Sequence, residues 1–386
     1  MSTVTTTTTT AEDRAAIIDA VREYAQHELA PYALERDSSG EFPVESLHHG
    51  GELGLGGIYI GEDVGGAGFS REDAAAIFEE LAYADPTIAA YISIHNMVGW
   101  MVDSYGTEAQ RHEWLPRLTA MEIFGAYCLT EPGAGSDAAA ITTGAVRDGD
   151  SWVLTGVKQF ISGAGAAGVY VVMARTGDLG SRGISAFIVP ADTPGLSFGA
   201  NEKKMGWKAQ PTRQVVFDAV RVPAENLLGE EGGGFRIAMK ALNGGRVNIA
   251  SCSLGGARWA LDRAVQYVHE RFTFGAALAD QPTVQFTVAD MATELRAARL
   301  MVQDAARAID DEAEDVAMRC AMAKRFATDA GFRIANEALQ LHGGYGYLQD
   351  YGIEKVVRDL RVHQILEGTN EIMRVIVGRE VMGGRR

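Results

Sequence analysis

The sequence predicts an α+β chain: an N-terminal all-α region, a middle antiparallel β domain and a C-terminal four-helix bundle. Three observations carry this. Apolar residues recur at helical spacing up to about residue 120. Short β-branched and aromatic runs bounded by Gly, Pro and Asp replace them, and from about residue 234 long apolar stripes of helical period return. The expected parts are 11–121, 122–233 and 234–386, preceded by a threonine-rich, disordered tail at 1–10. At 386 residues the chain exceeds what one hydrophobic core usually serves.

In the first part Ile17, Ile18, Val21, Tyr24 and Ala25 share one helical face, and Ala74, Ile77, Phe78, Leu81 and Ala82 share another. Nine glycines between Gly50 and Gly68 mark a long irregular connection. In the middle part Ser151–Gly156, Val169–Arg175, Ile184–Pro190 and Gln214–Asp218 read as strands with no helix between them. In the last part Val284, Val288, Met291, Leu295, Ala298, Val302 and Ala305 fall at steps of four and three, the stripe of a helix packed lengthwise. Segments 234–271, 281–310, 314–342 and 352–382 are the expected bundle helices.

Net charge is −16, which disfavours general affinity for nucleic acid or anionic membrane, although local arginines can still hold a polyanionic small ligand. Cys128, Cys252 and Cys320 lie far apart with no CxxC pair, so neither a metal centre nor a disulfide framework is expected. There is no secretory signal pattern and no apolar run of membrane-spanning length, and a cytoplasmic location is the expectation.

Four segments can carry chemistry. Thr130–Asp137 (TEPGAGSD) follows an apolar run, and its glycines allow a turn whose exposed N–H groups bind a flavin ring or an anion; an ordinary glycine turn fits equally well. Phe160–Gly165 (FISGAG) sets an aromatic ring beside a hydroxyl, suited either to stacking on a flavin or to the core. Gln340–Tyr347 (QLHGGYGY) puts two glycines just past a helix, as a C-cap or as a close approach to pyrophosphate, with His342 read as structural. Glu367, in Gln364–Asn370 (QILEGTN), is flanked by apolar residues and followed by glycine. A carboxylate so placed has a raised pKa and can act as a general base near neutrality; a surface loop glutamate is the alternative. Arg246 and Arg271 are either solvated or phosphate clamps.

Together these segments resemble the acyl-CoA dehydrogenase family, from about Ala11 to Gly378 and in its order of domains. Cys128–Asp137 and Gln340–Tyr347 are similar to its two signature motifs. The resemblance implies FAD as cofactor, an acyl-CoA thioester as substrate, electron-transfer flavoprotein as acceptor and a homotetramer. It implies that Tyr127, Leu129, Thr130, Gly135, Ser136, Phe160, Ile161 and Ser162 cover the flavin. Arg271, Phe274, Gln281, Gln340, Leu341, Gly343 and Gly344 would hold the pyrophosphate and adenosine, partly across a subunit interface, with Thr369 and Glu371 also touching FAD. Ser136, Asn243, Gly244, Arg246, Gly368 and Arg379 would contact substrate. Glu367 would take the α proton while flavin N5 receives the β hydride. Tyr91–Met97, Leu242–Gly255 and Arg361–Glu371 resemble the branch acting on isobutyryl-CoA in valine breakdown; 2-methylbutyryl-CoA or short straight-chain substrates are the alternatives. A flavin oxidase or monooxygenase, or a scaffold without catalysis, would keep the fold and change the function. Two positions depart from the wider family. Phe160 stands where many members have tryptophan, and Gly245 occupies the site at which isovaleryl-type members place their base, leaving Glu367 as the candidate.

Overall fold

A computed structural model describes residues 11–383; the expected tail at 1–10 lies outside them. Six α-helices open the described residues: α1 (Ala11–Tyr24), α2 (Ala33–Ser39), α3 (Val44–Glu52), α4 (Arg71–Ala84), α5 (Pro86–Tyr105) and α6 (Glu108–Thr119). The two expected stripes face one core, with Val21, Tyr24 and Ala25 buried beside Ile77, Phe78 and Leu81. The glycine-rich stretch is the irregular α3–α4 connection. It ends at Ser70, whose hydroxyl accepts a hydrogen bond from the Asp73 N–H at 3.0 Å and caps α4.

The middle of the chain holds β1 (Gly125–Cys128), β2 (Gly144–Asp148), β3 (Ser151–Ser162), β4 (Val169–Arg175), β5 (Ile184–Pro190), β6 (Leu196–Phe198), β7 (Thr212–Pro223) and β8 (Leu227–Leu228). Their order is β6-β7-β3-β2-β4-β5-β8, with β1 added on β4. The expectation of a purely antiparallel domain needs correction, because β1 runs parallel to β4, as does β2 where Gly144 meets Arg175. An alternating or apolar run reveals a strand but not the direction of its neighbour. Strands β4 and β5 are buried on both faces, hence their unbroken apolar character.

The remainder is α7 (Gly234–Glu270), a short hairpin of β9 (Phe272–Thr273) and β10 (Ala276–Ala277), α8 (Pro282–Asp310), α9 (Val316–His342), α10 (Ile353–His363) and α11 (Asn370–Val381). Helix α7 packs along α4, α8 and α9. At Gly255 an added Cβ would stand 2.3 Å from the Glu79 carbonyl oxygen, so only glycine lets α4 approach this closely. The single helix expected over 352–382 is two helices, α10 and α11, broken at residues 364–369.

A buried charged group ties these parts together. Lys355 Nζ donates to Asp85 Oδ1 at 2.9 Å and to Asp359 Oδ2 at 2.8 Å. Asp359 also accepts from the Trp207 N–H at 2.7 Å and from Thr87 Oγ1 at 3.1 Å. Helix α10, which leads into the broken turn, is thereby fixed to both α5 and the β domain. Among the described residues no helix is long and apolar enough to cross a membrane.

Candidate active site

The break between α10 and α11 is enforced locally. The Val362 carbonyl accepts the N–H groups of Ile365 and Leu366, and then two successive residues adopt left-handed backbone, Glu367 at φ 54° and Gly368 at φ 88°. Thr369 restarts the helix by accepting the Ile372 N–H at 3.3 Å. Left-handed backbone at a glutamate costs about 1–2 kcal/mol. Such strain persists only where neighbours over-determine the conformation, as they commonly do at functional sites. Here Arg246 Nε donates to the Glu367 carbonyl at 3.3 Å, and Lys324 Nζ donates to the Gly368 carbonyl at 2.8 Å and to Asn370 Oδ1 at 2.9 Å.

The turn aims the Glu367 carboxylate into the protein. Its Oε2 is sealed from solvent and has no hydrogen-bond partner among the described residues, although other atoms of the residue remain accessible. Burial pushes the carboxyl up to about 7, against the opposing pull of Arg246 and Lys324. The alternative of a surface glutamate is thereby excluded, and so is that of a solvated Arg246. Arg246 is 5 % exposed, and its Nη1 donates to Asn243 Oδ1 at 2.8 Å. A Cβ on Gly245 would stand 2.6 Å from Glu367 Oε2, whereas one on neighbouring Gly244 would stand 2.8 Å from the Arg71 guanidinium. Asn243, Gly244, Arg246, Glu367 and Gly368 therefore form one cluster.

The β domain contributes a second wall. The Tyr127 hydroxyl is sealed and unpartnered among the described residues; burial, and then the Glu367 charge, raise its pKa well above the ordinary phenol value. The loop after it is fastened from beneath. Glu131 accepts from Lys158 Nζ at 2.9 Å, from the Thr142 N–H at 2.7 Å and from the Thr143 N–H at 2.9 Å, while Lys158 also donates to the Leu129 carbonyl at 3.0 Å. Burial alone would raise the Glu131 carboxyl, yet Lys158 and these donors hold it at about 2. The Gln159 N–H reaches the Thr130 carbonyl at 2.8 Å, so Phe160 comes to lie beside the loop. Phe160 is 64 % exposed with φ 58°, not the core residue that its strand-end position allowed. Gly135 and Ser136 are exposed, and a Cβ on Gly135 meets nothing within 4 Å. Leu129 and Ile161 have buried side chains, leaving only their backbone to touch a ligand; Thr130 and Ser162 are half-buried. Lys158→Met is expected to lower stability by about 3–5 kcal/mol, because it strands a buried carboxylate. Thermal or denaturant unfolding checks this, and a loss below about 1 kcal/mol would show the pair to be dispensable.

The other expected cofactor residues form a separate group. His342 is buried, stacks on Tyr267 at 4.4 Å and donates from Nδ1 to the Ala338 carbonyl at 2.7 Å. Arg271 is exposed, with its guanidinium 5.7 Å from the Tyr345 ring centroid. Gln340 and Gly343–Gly344 are exposed beside it, and a Cβ on either glycine meets nothing within 4 Å. Leu341 is half-buried, Gln281 precedes α8 and Phe274 is fully exposed on the β9–β10 turn. Along α7, Arg271 is roughly 37 Å from Arg246 at about 1.5 Å per residue, so one chain does not bring this group to Glu367. Thr369 caps α11 beside Glu367, whereas Glu371 and Arg379 are exposed on that helix.

Residues not singled out in the sequence complete the cluster. Lys324 lies on the buried face of α9 with Cys320 and Ala327, a cation in an apolar stripe that was visible as such. Tyr59 comes from the glycine-rich connection. Its ring lies under the Arg71 guanidinium at 3.5 Å, its hydroxyl accepts from Asn248 Nδ2 at 3.1 Å, and it senses the Glu367 charge.

Three family models cover the chain: acyl-CoA dehydrogenase N-terminal domain at residues 11–122, middle domain at 126–220 and C-terminal domain at 232–382. The isobutyryl-CoA dehydrogenase of Bos taurus mitochondria is 53 % identical over 359 residues, 93 % of this chain and 86 % of that protein. Its Dictyostelium discoideum counterpart is 50 % identical over 371 residues, 96 % of this chain and 89 % of that protein. A crystal structure of a glutaryl-CoA dehydrogenase from Mycobacterium smegmatis in complex with FADH2 superposes with a TM-score of 0.92 at 29 % identity, covering 98 % of this chain and 96 % of that one. On fold and sequence alike, the chain belongs to the acyl-CoA dehydrogenase family.

Proposed function

We propose that this chain is an FAD-dependent dehydrogenase of short branched-chain acyl-CoA thioesters, with isobutyryl-CoA the leading substrate and Glu367 the base. The observation that carries the reading is Glu367 Oε2, sealed and without a partner among the described residues, on a carboxyl that burial pushes up to about 7 beside two buried cations. An α C–H next to a thioester is a weak acid, and removing its proton needs a positioned base whose pKa is near the working pH. Glu367 holds that proton on Oε2. Arg246 and Lys324 lie close enough for their charge to favour the carboxylate, so it is available near neutrality.

The residues present fit a flavin. Phe160 is exposed in left-handed backbone, the Gly135 turn leaves open space where a Cβ would stand, and the Tyr127 hydroxyl lacks a partner among the described residues. Tyr127–Ser136 and Phe160–Ser162 would hold the ring, and Thr369 lies next to it. Arg271, Phe274, Gln281 and Gln340–Gly344 suit phosphate and adenosine, and their distance from Glu367 supports a site shared between subunits, as in a homotetramer. When bound, FAD supplies acceptance of the two electrons that leave with the β hydrogen. The chain's own part is to position, exclude water and take the α proton.

Tyr59, held between Arg71 and Asn248, places a bulky, fixed ring near the base, which favours a short acyl group. The test is a kcat/KM series over C3 to C8 straight and branched acyl-CoAs, read by flavin bleaching without oxygen. Isobutyryl-CoA is expected to lead, with one extra methylene costing about 10–200-fold. A maximum at 2-methylbutyryl-CoA or at a straight chain would overturn the substrate but not the class. Electron-transfer flavoprotein is the proposed acceptor; reoxidation by O₂ at an equal rate would replace it with an oxidase.

A further inference from the structure

We propose that Lys324 is the positioning residue of the base: its ammonium pins the left-handed Glu367–Gly368 turn and supplies the counter-charge against which the carboxylate ionises. This deepens the function proposed above and rests on Glu367 being the base.

The side chain is wholly buried, yet both of its hydrogen bonds go to the residues just past Glu367, namely the Gly368 carbonyl at 2.8 Å and Asn370 Oδ1 at 2.9 Å. Asn370 is fixed in turn, its Nδ2 donating to Asp329 Oδ1 at 2.7 Å and to Thr328 Oγ1 at 2.9 Å. Thus α9 grips both the turn and the first residue of α11. A buried ammonium is expensive, and a merely structural contact to a carbonyl and an amide does not require one. The charge has a counterpart in the Glu367 carboxylate. The charged and titratable groups facing Lys324 are Glu367 on the turn, Arg246 on α7, Asp329 on its own helix, Glu371 on α11 and His363 on α10. Burial lowers the Lys324 pKa to about 7 and Glu367 opposes the fall. His363 is buried and its pKa is pushed down to about 3, so it is neutral at working pH. Arg246 spends its hydrogen bonds on Asn243 and the Glu367 carbonyl, whereas Lys324 holds the residues that follow.

The sign follows. A cation beside the carboxylate lowers the base's pKa, so removing it raises that pKa and moves the acid limb of the rate profile to higher pH. In the native enzyme kcat/KM is expected to rise with pH and to level off above the pKa of Glu367, which burial pushes up to about 7. Lys324→Met in the FAD-loaded enzyme is expected to shift this limb upward by about one pH unit and to lower kcat by about 10–100-fold, with KM changed less than about threefold. Lys324→Gln keeps a donor for the Gly368 carbonyl without the charge. It is expected to recover most of kcat at high pH while retaining the shifted limb. Infrared difference titration, with the Glu367 band assigned through Glu367→Gln, reads the same pKa independently of turnover. An unmoved limb and band in folded Lys324→Gln would overturn the proposal, whether or not Lys324→Met folds. Full activity of Glu367→Gln would instead overturn the base assignment on which it rests.

Discussion

Glu367→Gln is expected to fold, bind FAD and bind acyl-CoA normally while losing turnover by about 10³-fold, within the range attributed to a positioned general base. The amide has the volume of the carboxylate and the same backbone preference, so neither packing nor the strain at φ 54° changes. What disappears is the capacity to accept a proton at Oε2, the sealed oxygen without a partner among the described residues. Arg246 and Lys324 then face a neutral group. Flavin absorbance, acyl-CoA titration and steady-state turnover separate the steps. Normal binding with near-normal turnover would remove Glu367 from the chemistry, and loss of flavin would show that the residue serves structure instead.

The sequence located this residue and, through the resemblance, Asn243, Arg246 and Gly368 beside it, but not Lys324 or Tyr59, and the reason is physical. Leu-Glu-Gly carries two local signals, an apolar flank and a glycine able to adopt positive φ, and both survive in the structure as a buried carboxylate and Gly368 at φ 88°. The helical stripe of α8 was legible for the same reason: Met291, Leu295, Ala298, Val302 and Ala305 are all buried. Its first members, Val284 and Val288, are only half-buried, and nearby Phe286 is 67 % exposed, so the stripe marks a helical face without stating how deeply each turn is covered. Relations between distant segments were not legible. Nothing in a period-2 run states that β1 lies parallel to β4, and nothing near Lys324 names Gly368, 44 positions away, as its acceptor. Likewise the pairing of Tyr59 with Arg71 follows from the path of a glycine-rich connection that has no periodicity to read.

Gly245→Ala tests how little room the base has. Helix α7 and the Glu367 side chain compete for one volume, since a Cβ at Gly245 would stand 2.6 Å from Oε2, 2.9 Å from Cδ and 3.2 Å from Oε1. All three atoms belong to the far end of a side chain, so the fold accommodates the methyl by moving the carboxylate. Alanine is also favoured over glycine inside a helix by about 1 kcal/mol, so thermal stability is expected to hold or rise. Displacing a reacting group by even an ångström costs about 10²-fold, and kcat/KM should fall by that amount with flavin content unchanged. The two substitutions act through one group and should not multiply. In the Glu367→Gln background Gly245→Ala is expected to remove nothing further, whereas independent losses would place the effect of Gly245 on substrate binding rather than on the base.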